Sequence, residues 1–355
     1  GLKTFHPGGG QKMASVRRIG GRTPNERRSG STASSLGRVS EDLDRAVRAV
    51  VRDCLGVRAG EEALIICNPA TESLGAALRT EAEFAGADAV LAVMAERASH
   101  AGEPPGTLAA AMAAADVVLA PTVQSLSHTA ARRGASEAGA RVATLPGVTE
   151  EMLARVMSAD MEGLRSRGAA VAAALNAGSE ARITCPLGSE LRLGIEGRTA
   201  IPDAGELTAP GAFGNLPCGE GFIAPVEGTG VGKLVVAGSI AGIGMVSAPV
   251  MLTVGDGHLT DATGPEGARL IELLTAHGPD GTNVAELGIG TNERAILTGE
   301  ILEDEKILGT AHVAFGASAG IGGTIQVPVH LDCVVLDPDV SVDGEPLVRG
   351  GELLV

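Results

Sequence analysis

The chain has 355 residues, is 44% hydrophobic and carries a net charge of −15. It contains no Trp, no Tyr and five Phe. That excludes a tyrosine acid or oxyanion donor, leaves few stacking platforms for bases or sugars, and argues against nucleic acid as a partner. The charge is uneven: residues 1–40 hold eight Lys or Arg and one Glu, so the remainder carries about −22. This basic, Gly- and Ser-rich start reads as a disordered tail over residues 1–38, an added leader or a stretch preceding a natural start at Met13. Five widely spaced cysteines without a CxxC pair read as reduced thiols of a cytoplasmic protein, and no apolar run has transmembrane length.

From about Val39 helices and strands alternate. Ser40-Glu41-Asp42-Leu43 predicts a capped helix running to about Leu55. Apolar strands follow at 63–67, 88–93, 116–120 and 141–145, separated by helices at 73–85, 107–115 and 129–138. Continuous apolar strands alternating with helices predict a parallel sheet covered on both faces. No glycine-rich phosphate loop follows the first strand, where the sequence reads Cys67-Asn68-Pro69-Ala70-Thr71. A helical stretch over 149–177 then links two halves. From Ala181 the pattern turns to strands (182–185, 190–193, 233–236 and 249–254), with a hairpin signal at Gly255-Asp256-Gly257 and one helix at 264–276. The expected fold class is an α/β N-terminal domain with a parallel sheet, residues 39–180 including the linking helix, plus a strand-rich α+β C-terminal metal-binding domain, residues 181–355.

The chemistry concentrates in the second half. In Val329-His330-Leu331-Asp332-Cys333 the period of a strand puts His330 and Asp332 on one face, half of a metal site. His312 lies on another short apolar strand. Glu286 is flanked by apolar residues and has no favourable burial unless paired, protonated or metal-bound. Glu220 lies in a Gly-rich turn entering a strand. Two imidazoles and three carboxylates suit a dinuclear site in which a carboxylate bridges two ions and a water is activated. His128 follows the third parallel strand, in the loop region where α/β domains place ligands, and is a candidate substrate-binding residue.

The segments Asn215–Pro225, Ala285–Asn292, Ile301–Gly316 and His330–Asp332, with Ser125–Arg132 upstream, resemble the aminopeptidase T family of metallo-exopeptidases, in order from about residue 41 to 340. The resemblance implies an N-terminal α/β domain followed by a metal-binding domain, and a homodimer. It also implies two divalent ions (zinc, cobalt or manganese) held by Glu220, Glu286, His312, His330 and Asp332. The implied activity is hydrolysis of a small amide or an N-terminal peptide bond through a metal-activated water, with a small molecule or short peptide as substrate and neither nucleic acid nor membrane as partner. Two departures stand out. Gly219 occupies the position of the family's general-base glutamate, and the family's tyrosine near His312 has no counterpart. Glu227, seven residues beyond Glu220, is the candidate replacement base. A sister branch of this fold, the 2,5-dihydroxypyridine dioxygenases, uses one ferrous ion and has histidine at the position of Glu286. A ring-cleaving iron(II) dioxygenase of that type, or another non-peptidase enzyme on this scaffold, is therefore the alternative.

Overall fold

The computed structural model describes residues 41–355. The expected tail over 1–38 and the cap at Ser40 lie outside the described residues. The described residues belong to one compact unit. Among the described residues no helix is long and apolar enough to cross a membrane.

The first half builds a parallel sheet from β1 (Glu62–Cys67), β2 (Asp88–Val93), β3 (Val117–Ala120) and β4 (Arg141–Thr144), in the order β2-β1-β3-β4. Ala63 to Cys67 of β1 and all of β3 and β4 are buried, so their apolar runs satisfy two covered faces at once. The helices α2 (Glu72–Phe84), α3 (Gly106–Ala114) and α4 (Ala130–Glu137) alternate with these strands. Thr129 caps α4, its hydroxyl accepting from the Arg132 N–H. The chain changes direction in the sheet between β1 and β3, and the loop leaving β3 carries His128.

Two features differ from the sequence expectation. The 149–177 stretch is two helices, α5 (Glu150–Val156) and α6 (Met161–Asn176). Between them Ser158 turns its hydroxyl back onto the Arg155 carbonyl and Asp160 adopts an extended conformation ahead of α6. A fifth parallel strand, β8 (Phe213–Asn215), joins the edge of the first sheet beside β4. Its three residues from the second half thus complete the sheet of the first.

The second half is a strand-rich α+β arrangement of two sheets. One has eight strands, including β5 (Glu180–Thr184), β6 (Glu190–Gly194), β10 (Val231–Val236) and β13 (Val250–Gly255). The other has seven and contains β7 (Ile201–Asp203), β9 (Glu220–Ile223), β15 (Val284–Gly290), β16 (Ala311–Gly316) and β17 (His330–Val335), in the local order β17-β16-β15-β9-β7. The two sheets share one core: Ile183, Leu191, Leu234 and Leu252 from the first cluster with Leu287, Ile289, Val313, Phe315, Cys333 and Val335 from the second. With only five Phe in the chain, this core is almost wholly aliphatic. Period-2 alternation then sends Glu286, His312, His330 and Asp332 to the opposite face of the seven-stranded sheet. The core between the sheets therefore fixes where the candidate ligands point.

Candidate metal centre

The register of the seven-stranded sheet brings the polar residues into adjacent rows. Glu286 pairs with Ala314, which pairs with Asp332. Gly288 pairs with His312, Gly316 with His330, and Gly290 with Glu220. Each candidate ligand thus stands beside Gly or Ala, which leaves room for side chains to converge. At Gly288 a β-carbon would lie 2.0 Å from His312 Nε2, so a side chain there would displace the ligand itself.

Glu286 stands at the centre. Its Oε1 is 3.4 Å from His312 Nε2 and its Oε2 is 3.3 Å from His330 Nε2. On the first side Glu220 Oε2 is 2.9 Å from His312 Nε2; on the second, Asp332 Oδ1 is 3.6 Å from His330 Nε2. Two donor sets result, Glu220–Glu286–His312 and Glu286–His330–Asp332, each with ligand atoms within 4.8 Å of one another. A third set joins Glu305, His312 and Asp332. None of these sets contains both imidazoles.

The donor chemistry suits a divalent ion. The Ala317 carbonyl accepts a 2.7 Å hydrogen bond from His330 Nδ1, which turns Nε2 toward the carboxylates and makes it the nitrogen that meets an ion once its proton has left. Glu220 Oε2 is buried and has His312 Nε2, 2.9 Å away, as its near contact, without well-aligned hydrogen-bond geometry; His312 Nδ1, on the far side of the ring, is buried without a hydrogen-bond partner. A buried carboxylate oxygen and an imidazole nitrogen turned toward the same point are well placed to meet a cation.

Electrostatics bind the cluster together. Burial lowers an imidazole's proton affinity, yet Glu220 and Glu286, as acceptors for its ring N–H, raise His312 well above its ordinary value. His330 is likewise raised, because Asp332 and Glu286 outweigh its burial. Burial opposes the charged forms of Glu220, Glu286 and Asp332. Lys306 and His312 lower Glu220 on balance, both imidazoles lower Glu286, and His330 lowers Asp332.

His128 comes from the first half and stands over this centre, its ring centroid 5.7 Å from that of His330. One side of the residue stays open to solvent. Desolvation by the protein around its other sides, together with His330 and Arg132, pushes the imidazole down to about 4, so it is neutral at pH 7. Glu227 lies apart from the cluster. Its carboxylate pairs with Arg198 and accepts from the Thr324 N–H at 2.7 Å and the Ser318 hydroxyl at 3.3 Å, fastening the loop between β16 and β17. With its oxygens committed there, it does not have the position expected of a base.

Three buried charged residues escape the sequence reading. Lys306 is wholly buried, and its ammonium lies 2.5 Å from Glu220 Oε1, 2.5 Å from Glu305 Oε1 and 3.8 Å from Asp203 Oδ2. Burial raises Asp203 to about 7 and Glu305 to about 8, with Lys306 partly offsetting the rise. The run Glu303-Asp304-Glu305-Lys306 reads as a solvated face in sequence, and its only hint is the Ile307-Leu308-Gly309 that follows. The backbone also explains Gly219. Its φ is +138°, and a β-carbon there would lie 2.6 Å from that of Asn292, so a side chain has no space at this position.

No curated protein matches the chain. The family model described as NicX, 2,5-dihydroxypyridine 5,6-dioxygenase, matches residues 45–355. The chain belongs to that family. The solved 2,5-dihydroxypyridine dioxygenase from Pseudomonas putida KT2440 is similar over 88% of this chain and 97% of its own, with a TM-score of 0.77 and 20% identity. AmpT from Thermus thermophilus is similar over 89% of this chain and 100% of its own, with a TM-score of 0.65 and 19% identity. The aminopeptidase T resemblance therefore extends to the scaffold, which both branches share, while the family is the dioxygenase one.

Two predictions follow from this geometry. Gly288→Ala drives a methyl group into His312 and weakens divalent-ion binding roughly 10- to 100-fold; a metal titration that matches wild type contradicts the packing described. Both imidazoles hold protons in the ion-free protein at neutral pH, so ion loading releases protons and affinity rises with pH. Titration in weak buffer checks this, and an affinity constant between pH 6 and 8 contradicts it.

Proposed function

We propose that this chain is a metal-dependent enzyme that opens a small hydroxylated nitrogen ring by oxygen addition, in the manner named for its family. The family match over 45–355, which spans all the candidate ligands and His128, carries this reading. Gly219 supports it. A hydrolase of the aminopeptidase T type needs its base at this position, and the backbone there has no space for one. The absence of tyrosine points the same way.

Glu220, Glu286, His312, His330 and Asp332 would hold the ion, with His330 Nε2 presented by the Ala317 carbonyl. When bound, iron(II) would supply the redox chemistry that couples oxygen to the ring. The chain's own part is positioning and proton movement. A ring seated alongside His128 and His330 has a neutral imidazole beside it, whose free nitrogen lone pair can take a proton from a ring hydroxyl. The second half's sheet holds its ligands rigidly, because their neighbours along each strand are locked into the sandwich core.

One observation favours a second reading. The two imidazoles fall in separate donor sets joined by Glu286, an arrangement suited to two ions and a bridging carboxylate. That supports hydrolysis of a small amide, with zinc, cobalt or manganese.

The two readings separate in one experiment. Protein loaded anaerobically with iron(II) is mixed with oxygen and 2,5-dihydroxypyridine or related dihydroxylated rings; in parallel, protein loaded with zinc or manganese is offered aminoacyl amides. Oxygen uptake in step with substrate loss is expected. Amine release without oxygen uptake would replace this reading with the hydrolytic one. His128→Ala is expected to lower kcat by roughly 10²- to 10⁴-fold with ion content unchanged, the effect of losing a proton acceptor; a loss of bound ion instead would assign His128 to the metal shell.

A further inference from the structure

Lys306 is among the largest fully buried side chains of the described residues, and it is a cation. Around it and the candidate centre lie five carboxylates, Asp203, Glu220, Glu286, Glu305 and Asp332, which are buried or nearly so. Glu286 and Asp332 face the imidazoles alone, and Glu220 faces His312 with one oxygen and Lys306 with the other. Asp203, Glu220 and Glu305 converge on Lys306, whose ammonium has three N–H groups to give. The pairing is also a tie between elements. Asp203 belongs to β7, Glu220 to β9, and Glu305 and Lys306 to the turn after α8 (Ile301–Asp304).

We propose that Lys306 is an internal stand-in cation, which holds the carboxylate cage assembled before an ion arrives. The inference rests on the metal reading above. Without a cation, Glu220, Glu305 and Asp203 would be like charges gathered around one buried point. That arrangement is unfavourable unless protons or positive charge relieve it. Lys306 holds Glu220 through Oε1, and Oε2 is turned toward His312 Nε2, 2.9 Å away, and the centre. The cage is thus pre-shaped, with one carboxylate oxygen of Glu220 reserved for the ion. Lys306 touches no substrate position; it is a positioning residue acting through Glu220.

The account makes stability without Lys306 conditional on the ion. Lys306→Met keeps the length of the side chain and removes its charge. In chelator, its Tm is expected to fall by roughly 10 °C, because removing one partner strands buried charges. Added manganese(II) is expected to raise the Tm of this variant by more than it raises wild type. Lys306→Met combined with Glu220→Gln removes the carboxylate charge stranded by loss of Lys306 and recovers part of the loss in chelator. It also serves as the test if the single variant does not fold. Phe315→Ala, a cavity in the core between the sheets, is the control that manganese(II) does not selectively rescue.

Equal melting of Lys306→Met and wild type in chelator would overturn the proposal. So would an unrescued fall while wild type binds manganese(II), since Lys306 would then be a packing residue. A wild type that no divalent ion shifts strikes the metal reading itself. In that case the double variant decides on Lys306: recovery upholds its counter-ion role, and no recovery removes it.

Discussion

The structure depends on one carboxylate placed between two imidazoles. Glu286 reaches His312 with one oxygen and His330 with the other, and both rings come from neighbouring strands of one sheet. A carboxylate in that position has no apolar alternative, and burial alone would push it toward neutrality. The rest of the second half can be understood as the means of keeping it charged and in place. The aliphatic sandwich locks the strands. Gly288 and Ala314 clear space beside the ligands. Ala317 sets the ring of His330, and Lys306 balances Glu220.

The first half contributes access rather than ligands. Its parallel sheet places the loop after β3 at the point where strand order reverses, the usual location for ligand contacts in such sheets. From there His128 reaches His330. Strand β8, drawn from the second half, closes the far edge of this sheet, and Asn215 at its end accepts from both Ser127 and Thr144. The loop carrying His128 is thereby joined through its neighbour Ser127 to the segment that leads into Glu220.

Much of this was legible in sequence, for a physical reason. His330 and Asp332 share a face because strands have a period of 2, and the isolated charge of Glu286 in an apolar strand signals a paired or metal-bound group. The parallel strands of the first half declared themselves by continuous apolar runs. What escaped depends on long-range packing. Lys306 sits in a charged run that looks solvated, and nothing local reveals that Asp203, more than a hundred residues earlier, closes on it. The break between α5 and α6 needs the backbone turn at Ser158 and Asp160. Sequence distance from Glu220 likewise says nothing of the pairing of Glu227 with Arg198 and the loop it fastens.

The branch of the family was harder to read because its residues disagree. Glu286 matches the hydrolytic pattern, while Gly219 and the missing tyrosine depart from it. The backbone at Gly219 gives that departure a structural cause, and the family match over 45–355 agrees with it. The central claim is that Glu286 joins both imidazoles around bound metal. It is tested most directly by anomalous diffraction at the metal edge, from crystals grown with iron(II) or manganese(II). The account predicts a peak against Glu286 and at least one of His312 and His330; peaks only elsewhere, with Glu286 bound to protein groups alone, would contradict it.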